Sequence, residues 1–260
     1  MKARQILNLV GLVIMITVNV LANALPINGI STAAVSDSIP SLFTPAGYVF
    51  SIWGIIYLAL IGFGIYQALP KQKDNPRLER IGLWFFISSM FNSAWIFSWH
   101  YQKFTLSVIL MLGLLVSLLM TYLRAGIVNR KSLKNSDKSR PARLAEYIFI
   151  DLPFGIYLGW ISVATIANIS SLLVVLGWGG FGLSSNAWTI IMLAVGALLG
   201  VLMILLRHEV AYALVIIWAF LGIYVSRVDQ PSIQVTALVT AAIVLLVLLG
   251  SLLGRLVKKS

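Results

Sequence analysis

Tyr157, Trp160, Ala164 and Asn168 follow one another at intervals of three, four and four residues. On a helix they form one continuous stripe. The chemistry open to such a stripe is recognition: rings stack on flat apolar surfaces, and an amide or indole N–H supplies a directed hydrogen bond. Asn92, Trp95 and Trp99 repeat the pattern in FNSAWIFSWH, and Phe50, Trp53 and Tyr57 repeat it in TPAGYVFSIWGIIY. Bond-breaking chemistry has fewer candidates. The chain has no cysteine, which excludes disulfides, thiolate metal sites and cysteine nucleophiles. His100 reads either as a metal or haem-iron ligand or, more plainly, as a solvated histidine at a membrane boundary, and His208 lies in a polar turn beside Arg207 and Glu209. Asp151 reads either as a favourable charge at a helix start or as part of a proton relay. A relay needs a partner acid or histidine at depth, which the other helices do not display. No acid–base pair, nucleophile or metal cluster is visible, so no catalytic residue or metal ligand is assigned and the protein is expected not to be an enzyme.

The elements that must hold these groups are membrane helices. The chain of 260 residues is 60% apolar and 10% charged, and its apolar runs are too long for a soluble core. At about 20 residues per span, eight helices are expected at 6–25, 46–69, 81–101, 105–123, 147–176, 187–206, 210–225 and 233–253. The fold class is therefore an all-α integral membrane protein. The first apolar segment follows Lys2 and Arg4 as a signal peptide would, but it lacks a small-x-small cleavage site and is kept as the first span. Asn168, and Asn19 with Asn23 four residues on, must find hydrogen-bond partners inside the bundle, because an unmet amide in hydrocarbon costs several kcal/mol, on the order of 4–8 on alkane scales. Asn168 is expected to bond between helices and Asn92 to stay free. Gly155 with Gly159, and Gly196 with Gly200, are spaced to let a second helix approach closely.

A net charge of +11 does not indicate nucleic acid here. Every Lys and Arg except Lys103 and Arg227 falls at the chain ends or in alternate loops, the pattern of cytoplasmic loops. Both termini are thus expected in the cytoplasm, with the protein spanning the cell membrane. The densest cluster, Arg124, Arg130, Lys131, Lys134, Lys138, Arg140 and Arg143, occupies one long loop and either rests on anionic lipid or simply records orientation. The outer loop at 26–43 carries one acid, Asp37, and no base, a length and composition suited to a lid.

With these motifs in place, the chain resembles the TspO/MBR family, the tryptophan-rich sensory proteins related to the mitochondrial translocator protein. YLGWISVATIAN, Tyr157 to Asn168, is similar to that family's fifth-helix Tyr-Leu-Ala-Trp with an Asn eight residues after the Trp. FNSAWIF resembles its third-helix Leu-Asn-Ala-Leu-Trp on Asn92 and Trp95, and TPAGYVFSIWGIIY resembles its second-helix motif on Pro45, Trp53 and Tyr57. Thr44 stands where the family has its first proline, and Tyr48 where it has its first tryptophan. The resemblance covers about 1–178 and implies a five-helix domain there. A three-helix module at 179–260 then reads as a packing or oligomer-forming addition, and a chain ending near Trp178 is expected to keep its ligand.

The resemblance also implies a ligand class. Family members bind porphyrins and haem, and in animals sterols and benzodiazepine-type drugs, beneath the first loop. By that carry-over Trp53, Tyr57, Asn92, Trp95, Tyr157, Trp160 and Ala164 line the pocket, with porphyrin or haem as ligand and no required cofactor. The partners so implied are the lipid bilayer and a small hydrophobic ligand, with a homodimer left open. A sensor or binding protein is the first reading and a transporter the second. The second is favoured by eight spans but lacks buried charge, broken-helix pairs or an obvious repeat. Light-dependent porphyrin breakdown is the third.

Overall fold

The computed structural model describes residues 1–25, 27–127 and 139–257, and among these every regular element is a helix. Eight long helices occur in the expected order: α1 Ala3–Ala24, α2 Ile52–Ala68, α3 Trp84–His100, α4 Phe104–Arg124, α5 Leu152–Val175, α6 Ser185–Leu202, α7 Val210–Ser226 and α8 Pro231–Val257. Six helical stretches are long and apolar enough to cross a membrane, which makes this a multi-pass membrane protein. α2, α3 and α7 have 17 residues each; the 3-10 turn Gly47–Ser51 extends α2 to 22, while α3 and α7 remain at about 26 Å at 1.5 Å per residue against a hydrocarbon core of about 30 Å. Of the basic loop, Arg130, Lys131, Lys134 and Lys138 lie outside the described residues, as do Pro26, Lys258 and Lys259.

The loop expected on the outer side holds regular structure in its described residues, with a 3-10 turn at Ile27–Gly29 and a helix at Thr32–Asp37. Two further helices begin or end irregularly. α5 is entered through Arg140–Glu146 and a π-helical turn, Tyr147–Asp151, and α6 runs out through another, Met203–Arg207. Such turns tend to accompany functional sites.

By compactness the described residues fall into two units. One unit comprises Met1–Thr32 and Ile52–Leu158, the other Ala33–Ser51 and Gly159–Ser260. The cut falls within α5, and the later part of the outer loop belongs with the C-terminal helices.

In the first unit, α1 packs on α3 and α2, and α3 on α4. Asn8 ties α1 to the start of α3: its Nδ2 donates to the Gly82 carbonyl and its Oδ1 accepts from Phe86 N, both at 3.1 Å. Gly82, at φ +58°, makes the reversal that exposes that carbonyl, a conformation that penalises a β-carbon. Phe63, Phe85 and Phe154 form a fully buried triangle with centroids 4.8–5.7 Å apart. Because lipid is as apolar as these rings, what favours the folded bundle is their packing and the internal hydrogen bonds.

In the second unit, α8 packs on α6 and α7. A β-carbon at Gly159 would stand 3.2 Å from the Tyr212 backbone, so the glycine is what admits α7 to α5. The Gly196 and Gly200 pair works likewise, the first against Phe220 and the second against Val244 and Ile216.

Candidate functional site

Four of the expected aromatic residues meet in the first unit. Trp53 stacks on Tyr57 at 5.6 Å and on Trp95 at 6.2 Å, and meets Tyr157 edge-on at 6.1 Å. Trp95 continues the stack to Trp99 at 6.0 Å. The positions that make this possible are the three- and four-residue intervals on α2, α3 and α5. All of these rings are buried except Tyr57, which is half-buried.

Beneath the stack runs a chain of amides and a phenol. Asn19 Nδ2 donates to Asn92 Oδ1 at 2.6 Å, and Asn92 Nδ2 donates to the Tyr157 hydroxyl at 3.0 Å. That hydroxyl points its own hydrogen at Met15 Sδ, 3.7 Å away. The expectation that Asn92 stays free is therefore corrected. A fully buried amide cannot wait for a ligand without cost, and Asn19 on α1 supplies its acceptor with a donor. One polar group in the stack does remain open: Trp95 Nε1 is buried and has no partner among the described residues. The neighbouring Trp99 Nε1, by contrast, donates to the Thr32 carbonyl at 3.2 Å.

Trp160 and Ala164, on the same α5 stripe as Tyr157, belong to the second unit. Trp160 is buried with its ring edge-on to Phe50 at 5.8 Å, Ala164 is half-buried, and Asn168 is buried.

His100 is the next correction. It is fully buried, not solvated. Its Nδ1 lies 3.1 Å from the Ile27 carbonyl, which can only accept, so Nδ1 carries the hydrogen. In the neutral ring Nε2 then accepts from the Thr32 hydroxyl at 2.9 Å. Asn28 Nδ2 adds a bond to the His100 carbonyl at 3.1 Å. Together with Trp99, this histidine clips the start of the outer loop to the end of α3. A lone His beside two aromatics carries no sequence mark of such a role.

Asp151 has a buried partner of another kind, a cation. Arg77 Nη2 donates to Asp151 Oδ1, its Nη1 lies 3.6 Å from Glu146 Oε2, and its Nε donates to the Ala125 carbonyl at 2.8 Å. Asn75 Nδ2 reaches Glu146 Oε1 at 3.0 Å while its Oδ1 caps the helix Pro76–Ile81 through Arg77 N. Arg77, Glu146 and Asp151 are all buried. One cation thus faces two carboxylates, brought together from a short helix and the π-helical entry to α5.

In the second unit a cavity of about 570 Å³ lies between Pro40–Leu42, the C-terminal end of α5, the turn at Gly177–Gly180 and the first turns of α6. Trp178 and Trp188 both line it.

Fold and site together define a multi-pass helical membrane protein organised around buried aromatic and amide clusters. The family model described as TSPO-like protein matches residues 5–250, and the chain belongs to that family. The matched span runs through α6 and α7 and most of α8, so these helices lie inside the family's region and not beyond it. No curated protein and no solved structure matches the chain.

Proposed function

We propose that this protein binds a flat, mostly apolar ligand, a porphyrin or haem, at the aromatic stack of the first unit. Trp53, Tyr57, Trp95 and Tyr157 are the contact surface, and Asn92 holds Tyr157 in place. Trp160 and Ala164 are carried by the second unit and are not needed for the reading. The observation that carries it is the Trp95 indole N–H, a buried donor with no partner among the described residues in the middle of a ring stack. Buried donors are nearly always satisfied, and a tetrapyrrole supplies both an acceptor and a flat face. The chain crosses the cell membrane eight times with both termini in the cytoplasm, α3 and α7 being the two shorter spans. It acts by binding, as a sensor does.

The test is a titration of the purified protein with protoporphyrin and haem, followed by tryptophan emission. Saturable quenching that weakens in Trp53→Phe and Trp95→Phe, and not in Trp84→Phe, supports the reading. Quenching that is indifferent to all three rejects it.

A transporter is the second reading, and one observation favours it. The Arg77, Glu146 and Asp151 cluster supplies the buried charge that intramembrane transport sites employ. Ligand flux into proteoliposomes that Asp151→Asn abolishes, with binding retained, selects this reading over the first.

A further inference from the structure

The cavity of the second unit has the properties of a binding site, and none of its lining residues belongs to the aromatic stack proposed above. Its volume of about 570 Å³ falls within the roughly 300–1,000 Å³ of small-molecule sites. The walls are apolar, with Leu173 on α5 and Met192 on α6, and no lining residue is charged. Trp178 and Trp188 stand 5.0 Å apart at 53°, and the Trp188 N–H is committed to the Gly180 carbonyl at 2.7 Å, so that indole offers the cavity only its ring.

Four hydroxyl-bearing residues complete the lining, Ser41, Ser170, Ser185 and Thr189, of which the Thr189 hydroxyl is committed to the Ser185 carbonyl at 2.8 Å. Ser41 is 2% exposed, and its hydroxyl has no partner among the described residues; the Ser170 hydroxyl has none either. Ser41 is also held in position. Arg227 donates through Nη2 to the Ser41 and Thr44 carbonyls at 2.8 and 3.0 Å, and through Nε to the Leu42 carbonyl at 3.0 Å. The loop wall is thereby fixed, and the guanidinium is directed at the backbone.

We infer that this cavity is a second ligand site, for an uncharged, mainly apolar ring compound with one or two hydrogen-bonding groups along one edge. The rings lie against Trp178 and Trp188, and the polar edge meets Ser41 and Ser170. An acyl chain would leave both hydroxyls unmet in an apolar setting. An anion would lose its hydration with no cation in the wall to compensate.

The experiment uses the full chain in lipid nanodiscs with two planar dyes, uncharged Nile red and anionic anilinonaphthalene sulfonate, read by equilibrium dialysis and by energy transfer from tryptophan. Expected is saturable binding of Nile red, about tenfold or more tighter than the anionic dye, since each tenfold corresponds to one buried uncompensated interaction of ordinary size. Trp178→Phe and Trp188→Phe should each reduce energy transfer. Ser41→Ala should weaken binding about three- to tenfold, the loss of one hydrogen bond. Leu173→Trp should fill the cavity and abolish binding; Met192→Phe replaces it if that variant loses its thermal transition. Trp84→Phe, outside both the cavity and the ring stack, should leave Nile red binding unchanged, and quenching by protoporphyrin should survive Leu173→Trp, so that failure of the tetrapyrrole reading and failure of this one are separable. The inference is overturned by dye uptake that rises linearly with lipid, by saturable binding that survives the filling variants, or by binding that only Trp53→Phe weakens. It is equally overturned if brominated phosphatidylcholine quenches Trp188 and Nile red does not relieve that quenching, because an acyl chain is then the occupant.

Discussion

Trp95 and Trp99 sit one turn apart on α3 and stack at 6.0 Å, yet one indole N–H holds a loop carbonyl and the other holds nothing among the described residues. That difference separates structure from binding at the scale of a residue. Trp95→Phe keeps a ring in the stack while deleting a donor that is unsatisfied in the free protein. Its thermal midpoint should change little, while porphyrin affinity falls about two- to 13-fold, the worth of one net hydrogen bond of 0.5–1.5 kcal/mol. Trp53→Phe loses more ring contact on three sides and should weaken binding by about 1–3 kcal/mol, roughly five- to 150-fold. Asn92→Leu is expected to behave oppositely. It breaks the bonds to Asn19 and Tyr157, leaving Asn19 Nδ2 with only the Met15 carbonyl and the Tyr157 hydroxyl with only Met15 Sδ, so stability in detergent should fall by about 1–3 kcal/mol. Thermal unfolding monitored beside a titration distinguishes the two patterns.

Elements meet their neighbours through a few polar contacts, and these decide which substitutions are severe. The short helix Pro76–Ile81 exists to deliver Arg77 to the π-helical entry of α5, where Glu146 and Asp151 wait. Removing one partner of a buried ion pair leaves an uncompensated charge, so Arg77→Met should cost about 3–5 kcal/mol. Adding Glu146→Gln and Asp151→Asn to that variant should restore a large part of the loss, since no stranded charge is left. Chemical denaturation of the single and triple variants measures the difference. The chain start is anchored more loosely, by Lys2 to Asp74 at 3.0 Å and to Glu79 at 3.2 Å. The hydrogen bond from Lys2 holds the Asp74 carboxyl below its ordinary value of 3.8, and the same bonds raise Lys2 above 10.5. A depressed acid contributes fully above its unfolded value and loses that contribution as pH falls through the folded one. A raised lysine contributes below its unfolded value and loses it as pH rises. Amide exchange in the first turn of α1 should therefore quicken below about pH 4 and again above about pH 10.

For the whole molecule, the expectation that the last three helices are dispensable meets a physical obstacle within the second unit. The stretch before α2 is secured by α7: Ala46 N donates to the Gly222 carbonyl at 3.1 Å, Trp218 Nε1 to the Val49 carbonyl at 3.1 Å, and Ser226 Oγ to the Thr44 carbonyl at 3.0 Å. Arg227 adds its bonds to Ser41, Leu42 and Thr44. Burial lowers the pKa of Arg227, with Asp229 and Asp37 opposing the shift. A chain ending at Trp178 strips these partners from residues 41–49 and should run as an aggregate in size-exclusion chromatography. A monodisperse truncation that binds porphyrin would restore the modular view. A finer probe is Gly222→Ala, whose β-carbon falls on the Val49 side chain. It should lower the thermal midpoint of the full chain while leaving the first unit's ring stack intact.

Composition and periodicity by themselves determined the membrane class and the order of eight apolar helices, because hydrocarbon imposes long uncharged runs and helical stripes repeat at short intervals; the family came from the resemblance of three motifs, and the family model matches it over residues 5–250. They also determined that Trp53, Tyr57, Trp95 and Tyr157 share helical faces. Tertiary structure alone decided what those faces meet. Asn92 is committed because Asn19, 73 residues away, reaches it. His100 is a clip because the loop folds back onto it, Asp151 has a cation because a loop helix carries Arg77 inward, and Trp178 faces a cavity because Pro40–Leu42 closes the other side. Each of these depends on a contact between distant segments, and a local spacing rule reaches only one face of one helix.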